Sequence, residues 1–173
     1  MNARTENLAK DAQAASPDTA LRTTGELMLA LTPEHVSEAI KAAGCAVTAI
    51  EQDGVVRLHS ASHGIGFQVL WGNALGPGSY ADLTFSCPLR VQGGVLPDAV
   101  LADWHRSKRF ARVALHGDFV VLEMDVVAAG GVSAGHLSVM VQLWTQMMGQ
   151  FFLHLRNFRP QAEAQVAAPA TPA

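Results

Sequence analysis

The sequence predicts an α+β fold, a largely antiparallel sheet with helices packed on it, in the order α-β-β-β-β-α-β-β-α. Three observations carry this. Short runs of alternating polarity are joined by tight-turn signals at Asp53-Gly54, Ser62-His63-Gly64 and His116-Gly117-Asp118, and hairpin connections make neighbouring strands antiparallel. Helix-start and helix-stop chemistry brackets residues 33–43. A long stretch without charge, amphipathic at helical spacing, lies near the end of the chain.

The first helix is signalled by Leu31-Thr32-Pro33-Glu34. Thr32 is an N-cap, Pro33 suits the first helical position, and Glu34 complements the positive helix end. Leu31 and Val36 have the spacing of a hydrophobic staple. Val36, Ala39, Ile40 and Ala43 share a face, and Gly44 ends the helix in a left-handed cap. Four strands follow, over 46–51, 55–60, 65–71 and 80–86. In the third, Phe67, Val69 and Trp71 alternate with Gly66, Gln68 and Leu70. The breaker-rich loop 72–78 separates the third strand from the fourth. Pro97 opens a second helix that turns Val100, Leu101 and Trp104 inward and ends near Ser107. Runs 110–115 and 119–126 form another hairpin. Gly130-Gly131 then breaks the chain, and Ser133 caps a last helix reaching about Phe158.

That last helix has no formal charge from Leu137 to Leu153. Gln142, Gln146 and Gln150 nevertheless line one side, which a lipid-facing helix would not allow. The apolar stripe is wide: Leu137, Met140, Val141, Trp144, Met147, Met148, Phe151, Leu155 and Phe158, broadened by Val139, Leu143 and Phe152. One sheet needs a stripe of somewhat over 100°. The excess fits a helix sunk in the core, and equally one that also packs on a second subunit. Leu143, Met147 and Phe151 are the expected contacts of such an oligomer.

Residues 26–159 form the expected domain, between a polar, alanine-rich arm (1–25) and a Pro/Ala tail (160–173), both expected to be disordered. Charged residues make up 16% and the net charge is −3, so general affinity for nucleic acid or an anionic membrane is not expected. Cys45 and Cys87 are too few for a disulfide scaffold and are expected as reduced thiols. The first residues contain no apolar run of signal-peptide length, so the expected compartment is the cytoplasm.

The chemistry-bearing residues form no catalytic constellation. His59 and His63 are four apart, but on a strand end and turn with no carboxylate or cysteine at ligand spacing, so no metal site is expected. Ser79, Ser86 and Ser133 lack a nucleophile-elbow setting. An enzyme reading would need paired titratable groups, such as Asp82 near a histidine. No catalytic residue and no cofactor are therefore expected. Gly130–Ser133 lacks the spacing of a phosphate loop, although a helix N-terminus there leaves a small-ligand or anion sensor as an alternative. Arg106, Lys108, Arg109 and Arg112 crowd seven positions. They read either as a solvated face or as a patch for an acidic protein partner.

The run Ala102-Asp103-Trp104-His105-Arg106-Ser107-Lys108-Arg109-Phe110-Ala111-Arg112, a hairpin with Leu122-Glu123-Met124-Asp125, and Gly130-Gly131-Val132-Ser133 before a helix bearing Leu137, Trp144 and Phe151 resemble the YbjN family of bacterial proteins. The resemblance covers about residues 30–158. It implies a fold like that of type III secretion chaperones, which are small, often dimeric subunits that hold partner proteins. It also implies a role in bacterial sensory transduction and carries no catalytic residue. The expected protein is thus a non-catalytic, chaperone-like binding module, forming a homodimer and holding a protein partner of unknown identity.

Overall fold

The computed structural model describes residues 26–91 and 96–158. The arm and tail expected at 1–25 and 160–173 lie outside the described residues. The element order is α1 (Pro33–Ala42), β1 (Val47–Gln52), β2 (Val55–Ser62), β3 (Ile65–Trp71), β4 (Ala74–Gly76), β5 (Ser79–Tyr80), β6 (Asp82–Arg90), α2 (Asp98–Ser107), β7 (Arg112–His116), β8 (Phe119–Val127) and α3 (Ala134–Asn157). The α+β class and the order of the main elements are those expected. The breaker-rich loop adds one small feature, the two-stranded β4–β5 pair.

Local chemistry sets the helix ends. Thr32 accepts from the His35 backbone N–H at 3.3 Å and Ser133 from that of His136 at 3.1 Å, so each hydroxyl satisfies a donor that the first turn leaves free. At the end of α1, Gly44 has φ +82°. The Gly44 N–H donates to the Lys41 carbonyl and that of Cys45 to Ile40, which is the Schellman closure that glycine permits.

Six strands form one antiparallel sheet in the order β1-β2-β3-β6-β8-β7. β6 extends to Arg90, four residues beyond the expected end, and contains Pro88. Pairing with β3 stops at Gln68↔Ser86, while pairing with β8 continues to Arg90↔Phe119. The proline therefore stands where the ladder is one-sided, a position that tolerates a missing N–H.

Only one face of the sheet is covered. Leu58, Phe67, Val69, Leu83, Phe85 and Leu122 point into a single core with all three helices. Phe67, Phe85 and Trp144 form its aromatic centre, with ring centroids 5.7–6.1 Å apart. Among the described residues nothing lies on the opposite face.

The wide stripe of α3 is explained within the chain. α1 and α2 pack beside α3, which also lies on β2 and β8. Met147 and Phe151, expected at an oligomer interface, are buried in the chain's own core, and Phe151 is fully enclosed. Both are corrected to core residues, and Leu143 is half-buried against the same core. Met140 and Phe152 are also half-buried against it, whereas Val139 is exposed.

Candidate functional site

The expected basic cluster divides between two surfaces. α2 ends at Ser107, and the chain turns through Lys108, Arg109 and Phe110 into β7. Arg106 pairs with Asp103 at 3.1 Å, three residues back on the helix. Lys108 and Arg109 make no ion pair among the described residues. The Arg109 guanidinium lies 4.8 Å from the centroid of the Phe110 ring. Phe110 is 60% exposed and has φ +74°, a left-handed conformation rare for a bulky L-residue.

The surrounding structure holds that conformation. Trp104 is fully buried, and its indole N–H donates to the Ala111 carbonyl at 2.9 Å. The Lys108 N–H donates to the Trp104 carbonyl and that of Ala111 to Arg109. His105 Nε2 reaches the Val113 carbonyl at 3.0 Å. Both ends of the turn are thus fixed, and the phenyl ring is presented outward. A groove of about 530 Å³ runs between the ends of α2 and α3, lined in part by Asp103, Lys108, Leu153, His154 and Phe158, and Lys108 joins it to the turn. His154 bonds the Val100 carbonyl at 2.9 Å and lies edge-on to Trp104.

Arg112 does not belong to this rim. It lies on the uncovered sheet face, cross-strand from Glu123, and pairs with both Glu123 and Asp125. Thr84 donates to Asp125 at 2.6 Å. Burial pushes the Asp125 carboxyl up, but hydrogen bonds from Arg112 and Thr84 outweigh it and hold it below its ordinary 3.8. A depressed carboxyl stabilises the fold above its unfolded value and loses that effect as pH falls through the folded one. Arg112→Ala is therefore expected to destabilise the chain at pH 7 by about 0.5–1 kcal/mol, a figure already lowered for solvent screening of half-exposed groups. Urea unfolding should show the two chains converging below pH 4, as Asp125 protonates. An equal gap at pH 3 would contradict the assignment.

The other sequence candidates are accounted for by structure. At Gly130-Gly131, φ is +89° and +98°, and three backbone donors of the turn and helix start have partners. The Gly131 N–H donates to Ala128, that of Val132 to Met28, and that of His136 to Ser133 Oγ. The turn connects β8 to α3. Asp82 accepts from the Asn73 side chain at 2.7 Å and meets no histidine. Cys87 is fully enclosed and burial pushes its thiol to about 11, while Cys45 is half-buried. No group of three potential metal ligands occurs among the described residues. None of the described helices is long and apolar enough to cross a membrane.

What sequence reasoning missed at this site is Phe110. The sequence pattern places it in the strand over 110–115, and its left-handed backbone carries no glycine or asparagine signal. The sharpest available clue was the Arg109-Phe110 pair directly after a helix end.

The fold defines a small α+β subunit with helices on one face of an antiparallel sheet. The crystal structure of YbjN from E. coli, "a putative transcription regulator", matches it with a TM-score of 0.57 over 76% of this chain and 94% of that one, at 14% identity. No curated protein is a significant match. The chain belongs to the YbjN family, described as "Putative bacterial sensory transduction regulator", whose model matches residues 32–157.

Proposed function

We propose that this chain is a non-catalytic regulator that acts by holding a protein partner, with Arg106, Lys108, Arg109 and Phe110 at the contact. The observation that carries this reading is Phe110. An exposed aromatic side chain on a strained backbone, locked from beneath by Trp104, is a preorganised anchor, and strain of this kind concentrates at ligand clamps. Aromatic and arginine side chains dominate binding hot spots. Lys108 and Arg109 add positive charge without an intramolecular carboxylate, which suits an acidic partner segment. The adjoining groove, with Leu153 exposed at its wall, offers room for an apolar side chain of the partner.

The test is quantitative affinity capture from the native host with the wild-type chain and an Arg109→Glu/Phe110→Ser variant. At least one acidic protein should fall tenfold or more with the variant while the fold, read by circular dichroism, is retained. Identical captured sets would overturn the reading.

A further inference from the structure

The uncovered face of the sheet has a charge pattern that matches a second copy of itself. Register places outward-facing side chains in rows across the strands. Continuing the β2–β3 register two residues beyond His59↔Gln68 puts Arg57 level with Leu70, so that one row runs Ile50, Arg57, Leu70, Thr84, Asp125 over β1, β2, β3, β6 and β8. The next runs Thr48, His59, Gln68, Ser86, Glu123, Arg112 over all six strands. Basic or imidazole groups therefore sit on β2, and carboxylates at the same levels on β8. Arg57 is exposed and makes no ion pair among the described residues.

The sheet has six strands, so its midline lies between β3 and β6, with β2 and β8 equally distant on either side. A two-fold axis parallel to the strands along that midline lays one sheet on another while keeping each row at its level. β2 of one copy then faces β8 of the other. Arg57 meets the partner's Asp125 and His59 meets the partner's Glu123, twice each by symmetry. The surface between the charges is uncharged, with Leu70 and Thr84 on one row and Gln68 and Ser86 on the next. Ala61 would face the partner's Val121, and Pro88 and Leu70 are exposed near the centre. Ile50, Phe119 and Val127 are exposed on the same face, more apolar surface than a water-facing sheet normally carries. Six strands at ~4.8 Å spacing and about 25 Å of length give a face on the order of 700 Å² per copy, close to the share each partner contributes to a standard interface.

We propose that the chain forms a two-fold homodimer through this sheet face, with β2 of each copy over β8 of the other and Arg57–Asp125 as the pairing that sets the register. The assembly is an aligned sheet sandwich. It leaves the Phe110 rim outside the interface and does not depend on the function proposed for that rim.

Light scattering should give twice the 18.3 kDa chain mass at tens of micromolar. Arg57→Glu should weaken dimerisation tenfold or more, while Arg106→Glu, on the rim, should leave it unchanged. For geometry, Arg57→Cys and Asp125→Cys are prepared separately in a Cys45→Ser background. They are then mixed and treated with a short bismaleimide able to span the ~10 Å between packed sheets. Cross-linked pairs should form in the mixture and not with Arg57→Cys alone, because the two copies of Arg57 lie three strands apart. A monomer at every concentration overturns the proposal, as does a dimer that is insensitive to Arg57→Glu or fails to cross-link in the mixture.

Discussion

Trp104→Ala is expected to cost about 3–5 kcal/mol, the range for deleting a large aromatic side chain from a core that cannot collapse around the gap. For a domain of this size that lowers Tm by roughly 10–20 °C. Trp104 is fully enclosed and lies edge-to-face on Phe151 at 5.1 Å. Its indole also holds the turn that presents Phe110. Trp104→Phe separates the two roles. It keeps most of the apolar volume but leaves the Ala111 carbonyl without its donor, at about 1–3 kcal/mol. Calorimetry should rank wild type above Trp104→Phe above Trp104→Ala. Partner capture should already suffer in the phenylalanine variant, because the strained backbone at Phe110 has lost its clamp. Unimpaired capture by a folded Trp104→Phe chain would show that the indole does not organise the rim.

Phe151→Ala should be of similar severity, again about 3–5 kcal/mol, because the ring is fully enclosed between α2 and the rest of α3. The informative comparison is with association. An interface residue would change the dimerisation constant and barely alter the stability of an isolated subunit. A core residue does the reverse. Chemical denaturation combined with light scattering of the folded fraction should show lost stability and an unchanged association state. A stable variant that no longer associates would return Phe151 to the interface.

Elements whose information is local were legible in the sequence. Thr32, Gly44 and Ser133 act through hydrogen bonds reaching three to five residues, and Asp53-Gly54 closes its hairpin without help from the rest of the chain. The features that escaped depend on distant partners. β6 runs to Arg90 because β8, thirty residues later, supplies a ladder on one side of Pro88. Arg112 leaves the basic cluster because strand register turns it to the opposite face from α2. Met147 and Phe151 have the hydrophobic character that either a core or an interface demands. Only the positions of α1 and α2 decide between them, and a single stripe on α3 cannot encode where its neighbours will lie.

The tip of the second hairpin has a mechanical consequence. His63 stands in the β2–β3 turn with φ +54°, and its Nε2 meets the Thr145 carbonyl of α3 at 3.2 Å. A Cβ on Gly149 would come within 3.0 Å of that ring, so the helix is notched at the point where the imidazole rests. A hairpin tip is ordinarily among the first places to fray. Here it is latched to an element 82 residues away in sequence, and it cannot open without giving up its contact with the middle of the longest helix. The β2–β3 hairpin and α3 are thus tied at their contact, and hydrogen exchange at the hairpin tip should quicken in His63→Ala.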